Sequence, residues 1–309
     1  AQNARAAVGS GWPDTDKNGR PRSTYRNTTV ALRRLNAAFA YDLFRHRSVV
    51  HGHYVEDFEG GANDKIYPLL REAVIRKFNF DPHLQNVVDA VDFLCLENTF
   101  HPVLDMLDGL KHDGVPRLDG WLSTYLGADD TPLNRAIGTI FLVAAVRRVR
   151  QPGVKFDQIP VFEGAQGSGK STALQILAGD GLHSDQEILG AEGKAQMELM
   201  EGKWIYELGE LVGLNKSEVN KIKAFASRTH DTARMAYGRS ATTRGRQTVF
   251  VGTTNEDRYL RDTTGNRRFW PVKTGAIDLE RLRQDRDQLW AEASALEATG
   301  FSLTLPSEL

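Results

Sequence analysis

The feature that most constrains this chain is a cluster of glycines set between an apolar stretch and an amphipathic one. Residues 158–178 read Gln-Ile-Pro-Val-Phe-Glu-Gly-Ala-Gln-Gly-Ser-Gly-Lys-Ser-Thr-Ala-Leu-Gln-Ile-Leu-Ala. Gly164, Gly169, Lys170 and Ser171 fit the pattern G-x-x-x-x-G-K-[ST]. The flanks are those the pattern needs. The run from Ile159 to Phe162 predicts a buried strand, and Ala173, Leu174, Ile176 and Leu177 predict a helix ended by Gly179. A glycine turn leading into a helix start aims backbone N–H groups inward, where they attract phosphate oxygens. The predicted cradle is Gly164, Gln166, Gly167, Ser168, Gly169, Lys170, Ser171 and Thr172. In it Lys170 reaches the β- and γ-phosphates of a nucleotide such as ATP, and the Ser171 hydroxyl ligates Mg²⁺.

A second signal lies downstream. Lys203-Trp204-Ile205-Tyr206-Glu207-Leu208 predicts a short buried strand that delivers a carboxylate at its end, with Glu210 close behind. Beside a phosphate loop, one such acid serves the metal and the other polarises the attacking water, and spacing leaves open which does which. The strand predicted over residues 247–254 ends in Asn255, an amide able to bond a γ-phosphate or orient water. Arg267 and Arg268 then precede an aromatic strand, Phe269-Trp270-Pro271-Val272. An arginine offered there to a neighbouring subunit's γ-phosphate stabilises transition-state charge, and packing on Trp270 is the structural alternative. Between these strands lies the most basic stretch of the chain. Lys216, Lys221 and Lys223 stand on a helix predicted over residues 217–226 with Ser217 as its cap, followed by Arg228, Arg234, Arg239, Arg244 and Arg246 with Tyr237 among them. This suits contacts to a DNA backbone with Tyr237 as a stacking surface, and equally a solvated basic face or an intersubunit surface.

Composition narrows the class. The 309 residues are 40% hydrophobic and 26% charged, so they suffice for two globular domains. A net charge of −1 speaks against a histone-like binder but permits a local basic patch. The single cysteine, Cys95, allows no internal disulfide and sits in an apolar run, where packing explains it. No apolar run is long enough to span a bilayer and residues 1–10 lack a secretion-signal core, so the expected location is cytoplasmic, with no membrane partner. The missing initiator Met reads as a fragment or a processed form. Residues 1–28 predict a polar segment; Asp14, Asp16, Asn18 and Gly19 imitate a calcium loop, but Tyr25 stands where its glutamate belongs, so a solvated turn is the better reading. Helical periodicity then runs over residues 29–43, 66–78, 86–97, 119–126 and 134–150, with Pro152-Gly153 breaking the last. His51, His53, Glu56 and Asp57 share a Gly-rich loop rather than a helix face, and a metal reading is set aside. Further helices are expected over 186–200 and 278–298.

Taken in order, several segments resemble the virulence-associated E family of phages and mobile elements. They are His101-Pro102, Asp113-Gly114-Val115-Pro116-Arg117, Pro152-Gly153-Val154-Lys155, residues 164–172, Glu207-Leu208-Gly209-Glu210, Thr253-Thr254-Asn255 and residues 265–271. The resemblance covers about residues 28–275, and only the phosphate loop is specific alone. The family is similar to superfamily 3 helicases. The resemblance therefore implies an α/β fold: an AAA+-like P-loop NTPase core with a parallel sheet over residues 153–309, preceded by a mostly helical region over 29–152. It implies ATP and Mg²⁺ as cofactors, with Lys170 and Ser171 on phosphate and metal, and Glu207 and Glu210 in the acid roles. Asn255 becomes the phosphate sensor and Arg267 or Arg268 the finger. Lys221, Lys223, Arg228, Arg234, Tyr237 and Arg239 become DNA contacts.

The activity so implied is an ATP-hydrolysing, helicase-like motor on single-stranded or forked DNA, working as a homo-oligomeric ring such as a hexamer, in phage or mobile-element replication. A primase or polymerase region often accompanies such a motor, and no primase-type acidic motif stands in this chain. Two other readings fit the same loop: a nucleotide-gated DNA-binding or interference module with little unwinding, and a P-loop phosphotransferase.

Overall fold

The computed structural model describes residues 11–52, 55, 65–191, 193–209, 211, 216–234, 241–255 and 266–309. The chain divides into two compact units, Ala1–Pro102 and Val103–Leu309.

The first unit holds α1 (Tyr25–Arg34), β1 (Ala37–Asp42), β2 (Arg47–Gly52), α2 (Ile66–Phe78), α3 (Leu84–Leu96) and β3 (Thr99–Phe100). Its strands form a small sheet in the order β2-β1-β3. The helix expected over 29–43 is therefore corrected. It stops at Leu35, and Ala37 to Asp42 pairs antiparallel with β2. Leu35 and Phe39 are buried as helical spacing requires, but the β-branched Val49 and Val50 opposite favour a ladder. Asp42 fixes the turn, accepting the N–H groups of Phe44 and Arg45 at 2.9 and 2.8 Å. Leu32, Leu70, Val74, Val87, Val91 and Cys95 fill the core beneath. The region expected to be mostly helical thus also carries a small three-stranded sheet.

The second unit opens with α4 (Pro102–Gly109), which the periodicity did not reveal, then α5 (Trp121–Leu126) and α6 (Pro132–Arg150). There follow β4 (Ile159–Glu163), α7 (Lys170–Ala178), β5 (His183–Ser184), α8 (Lys194–Met200), β6 (Ile205–Leu208), α9 (Lys216–Ala226), β7 (His230–Ala233), β8 (Thr242–Gly245), β9 (Val249–Thr254), β10 (Phe269–Lys273) and α10 (Leu279–Ala298). The sheet is five-stranded and parallel, in the order β10-β4-β9-β6-β5, while β7 and β8 form a separate antiparallel hairpin. Its three central strands are buried along nearly their whole length, as a sheet covered on both faces demands. On one face Ile159, Val161, Tyr206, Leu208 and Phe250 meet Val219, Ile222 and Phe225 of α9. On the other lie α6, α7 and α10. There Trp204 stacks on Trp290 with ring centroids 4.1 Å apart, and Trp121 meets Phe162 edge-on.

Three more expectations are corrected. A compact boundary falls at 102/103 instead of 152/153, because α6 is buried nearly all round, from Ile137 to Val146, against the sheet and α10. Such a helix belongs to the core it fills. The helix expected over 186–200 begins only at Lys194, since Gly193 takes a positive φ of 51° and the preceding segment runs irregularly. Ser217 lies inside α9, which starts at Lys216, and so is not its cap.

Candidate functional site

The sheet's topology makes a crevice. From β4 the chain crosses through α7 to β5 at one edge; from β9 it passes to β10 at the other. Neighbouring parallel strands whose connections leave in opposite directions open a cleft at their carboxyl ends, where ligands of open α/β sheets bind. The glycine loop follows β4 into that cleft, and the Glu207 strand ends beside it.

Inside the loop, Gly167 and Gly169 take positive φ of 74° and 94°. A Cβ on Gly164 would lie 2.4 Å from the Thr274 hydroxyl, whereas one on Gly167 would point into open space. The loop is therefore braced at Gly164 and unobstructed at Gly167. Lys170 is buried and its ammonium donates to the Gly164 carbonyl at 2.7 Å, the Ala165 carbonyl at 2.9 Å and the Ser168 hydroxyl at 3.3 Å. Burial pulls its pKa below the ordinary lysine value, and the nearby Glu207 charge opposes that. The first backbone bond into α7 is Ala173 N–H to the Gly169 carbonyl, so the N–H groups of Lys170, Ser171 and Thr172 face outward from the helix start.

Glu207 is the polar centre of the cleft. It is 3% exposed, and its Oε1 accepts the Ser171 hydroxyl at 2.7 Å and the Thr253 hydroxyl at 2.6 Å. His183 Nε2 lies 3.2 Å from its other oxygen. Burial pushes this carboxyl up, but the hydrogen bonds from His183, Thr253 and Ser171 outweigh it and hold the group below its usual range. The carboxylate is thus kept ionised by donors from three different elements. A cavity of about 390 Å³ opens next to it, lined by Ser171, Asp185, Glu187, Glu207, Gly209 and Thr253 among others.

The remaining predicted residues scatter. Asn255 stands exposed just past β9. Arg268 is not free: its Nε donates to Asp157 at 2.6 Å. Arg267 is exposed and has no ion-pair partner among the described residues. Both precede β10, whose Phe269 pairs with Ile159 at the start of β4. They therefore lie one strand's length, about 16 Å for five residues, from the loop at the other end of β4. That separation puts the loop of their own chain beyond the reach of an arginine side chain.

Of the DNA contacts, Lys221, Arg228 and Arg234 are exposed, with Arg228 bonded to Gln196 at 2.9 Å. Lys223 is buried, 9% exposed on the inner face of α9, and is removed from that set. Glu210, Tyr237 and Arg239 lie outside the described residues. Sequence reasoning missed His183 and Thr253. Thr253 sits two positions before Asn255 on a strand already recognised, so strand alternation held the signal; His183 stands on a two-residue strand with no local pattern to mark it.

The family model described as the virulence-associated protein E-like domain matches residues 107–308. No curated protein matches the chain. Among solved structures, the apo structure of the NrS-1 C terminal region (305–718) is similar at 13% identity and TM-score 0.52, covering 90% of this chain and 69% of that one. An A-form apo structure of the same region gives 12% identity and TM-score 0.54, covering 86% and 68%. At such identities the likeness is one of fold.

Proposed function

The chain belongs to the virulence-associated protein E-like family, and from that premise we propose that it is an ATP-binding and ATP-hydrolysing motor that acts on DNA during replication of a phage or mobile element. The observation that carries this reading is the 2.7 Å bond between the Ser171 hydroxyl, at the start of the loop helix, and the Glu207 carboxylate, at the end of the adjacent core strand. A hydroxyl and an ionised carboxylate brought together beside a glycine loop form the donor set that Mg²⁺ prefers, hard oxygens with room for water. The residues fit the metal and the nucleotide: the loop is unobstructed at Gly167, and the N–H groups of Lys170, Ser171 and Thr172 are uncommitted. Bound there, Mg²⁺ would neutralise phosphate charge as it develops.

The protein's own groups then act as follows. Lys170 exchanges its bonds to the Gly164 and Ala165 carbonyls for phosphate oxygens. The amides of Gln166, Gly167, Ser168, Gly169 and Thr172 hold the remaining oxygens. Ser171 and Glu207 would hold the metal, which leaves the attacking water to Glu210. Thr253 and His183 fix the Glu207 carboxylate, and Asn255 senses the γ-phosphate. Arg267 acts on the site of a neighbouring subunit in a homo-oligomeric ring, since Arg268 is held by Asp157 in its own chain. Lys221, Arg228 and Arg234, with Tyr237 and Arg239, contact DNA.

The test is ATP hydrolysis by the full chain with and without single-stranded DNA, beside Lys170→Ala. DNA-stimulated turnover that vanishes in the variant is expected; equal turnover in both removes the ATPase reading. Displacement of a strand from forked DNA, with and without ATP, separates an unwinding motor from a nucleotide-gated binding module.

A further inference from the structure

Residues 11–24, ahead of α1, take no part in the site above, yet they are tied to that helix by hydrogen bonds. Asn27 is fully buried and works as a peg. Its Nδ2 donates to the carbonyls of Asp14 and Arg22 at 2.6 and 2.8 Å, and its Oδ1 accepts the Asp14 N–H at 3.1 Å. Thr15 pairs with Pro21 as an antiparallel bridge. At the tip, Asp16 Oδ1 accepts the N–H groups of Asn18 and Arg20 at 2.8 and 2.9 Å, and Gly19 turns the chain with φ of 76°. The segment is a short hairpin clipped to the start of α1.

Its charges are lopsided. Both carboxylates serve the fold: Asp16 bonds its own loop, and Asp14 accepts the Thr24 hydroxyl at 2.8 Å. Lys17, Arg20 and Arg22 are exposed, with no carboxylate at ion-pair distance among the described residues. Arg26 lies 3.5 Å from Asp14 but keeps its side chain 72% exposed. The acids nearby are matched elsewhere, Asp81 by Arg71 and Glu97 by Arg33, each at 2.7 Å. Tyr25, 38% exposed, stands beside Arg26.

We propose that this hairpin is a nucleic-acid contact separate from the basic stretch of the second unit, with Lys17, Arg20, Arg22 and Arg26 on the phosphates of a single strand and Tyr25 as a face for a base. Cations on a rigid tip need little ordering to meet a polyanion, and an aromatic face beside them suits unpaired bases of any sequence. The tip carries no apolar side chain to enter a bilayer, which sets a membrane surface aside. The choice of DNA as the polyanion rests on the proposed DNA-acting function; the grip itself requires no nucleotide.

The experiment is anisotropy of a labelled single-stranded oligonucleotide of about 30 nucleotides, titrated with the full chain without nucleotide across a range of salt. Removing four phosphate contacts in Lys17→Ala/Arg20→Ala/Arg22→Ala/Arg26→Ala should lower the slope of log affinity against log salt by about 3, at ~0.7 per contact, and weaken binding at least about tenfold at low salt. The charge-keeping Arg20→Lys/Arg22→Lys/Arg26→Lys variant should retain the slope. An unchanged slope in the alanine variant overturns the proposal. So does an equal loss in the lysine variant, which would assign the effect to the hairpin's fold, or binding of the wild type to anionic vesicles but not to DNA. ATP hydrolysis without DNA, read on the same samples, keeps the two readings apart: it should be the same in all three proteins. A chain that hydrolyses no ATP yet loses slope sinks the motor and leaves the hairpin contact standing.

Discussion

The two ends of the five-stranded sheet both gather charged side chains, and they treat them oppositely. At the carboxyl end, Lys170, Ser171, Glu207 and Thr253 bond one another or the carbonyls of a glycine loop. At the amino end, the charges bond elements of the fold itself. Arg148 is fully buried at the end of α6 and donates to the carbonyls of Thr248, just before β9, and Phe156, just before β4. Burial pushes its guanidinium down to about 10, which still leaves it charged at neutral pH. Arg246 is 4% exposed, bonds both oxygens of Asp231 and the Phe225 carbonyl, and lies over the Phe225 ring at 4.3 Å. Bonds that converge on one acid beside a cavity mark a candidate site, whereas those of Arg148 and Arg246, closed within the core, mark a scaffold.

Two substitutions test that division most severely. Arg246→Ala leaves Asp231 buried without its partner and cuts the root of the β7–β8 hairpin from α9. The expected loss is about 3–5 kcal/mol of unfolding free energy, read from urea denaturation, with nucleotide binding by the folded fraction unchanged. A loss below about 1 kcal/mol would mean that the amino end is no scaffold. Lys170→Ala should do the reverse: turnover falls by about 10²–10³, the size found when a charge-stabilising donor is removed, while the urea midpoint barely moves. Unfolding by this variant would make the lysine a structural prop for its loop.

That contrast also explains what the sequence could announce. The strand, glycine loop and helix around residues 159–178 were legible because Gly164, Gly169, Lys170 and Ser171 keep a fixed spacing between two apolar patterns. The Glu207 strand was legible from its apolar run. The basic stretch was misleading because burial is a tertiary property. Arg246 and Lys223 look in sequence like Arg228 and Lys221, yet the first pair is buried and the second exposed. Likewise residues 37–42 satisfy a helical period and a strand period together, and only the partner strand over residues 47–52 decides between them. The same limit hid the hairpin at residues 14–22: its order depends on Asn27, which reads as one more polar residue until the fold buries it.

Arg267 and Arg268 carry the comparison down to neighbouring residues. Arg268→Ala breaks the 2.6 Å bond to Asp157 and should cost about 1.5 kcal/mol of stability, as for a hydrogen bond to a charged group. Burial pushes the Asp157 carboxyl up, but Arg268 and Lys155 hold it below the usual range, so the lost partner is felt at neutral pH. Arg267→Ala should leave stability unchanged and lower turnover only at protein concentrations where subunits associate. If the two variants exchanged these effects, the finger would be Arg268, released from Asp157 on assembly.

The smallest expected effect is the one that reads the site through pH. Glu207 has its carboxyl pKa lowered in the folded state, because the bonds from His183, Thr253 and Ser171 outweigh burial. Its contribution to stability is therefore complete above the unfolded carboxylate value of about 4.3, and is lost as the pH falls through the lowered folded value. Thr253→Val keeps the shape and removes one of the three donors. The folded pKa then rises toward the unfolded one, so the contribution is smaller and its loss is finished at a higher pH. The acid unfolding midpoint, followed by tryptophan fluorescence, should move up by about 0.3 pH unit. Thr232→Val provides the control, because that hydroxyl bonds Thr243 across the hairpin and touches no carboxylate; its midpoint should stay in place. Equal shifts in the two variants would mean that hydroxyls stabilise the fold alike wherever they sit, and the carboxyl end would lose its claim to a polar network built around one ionised acid.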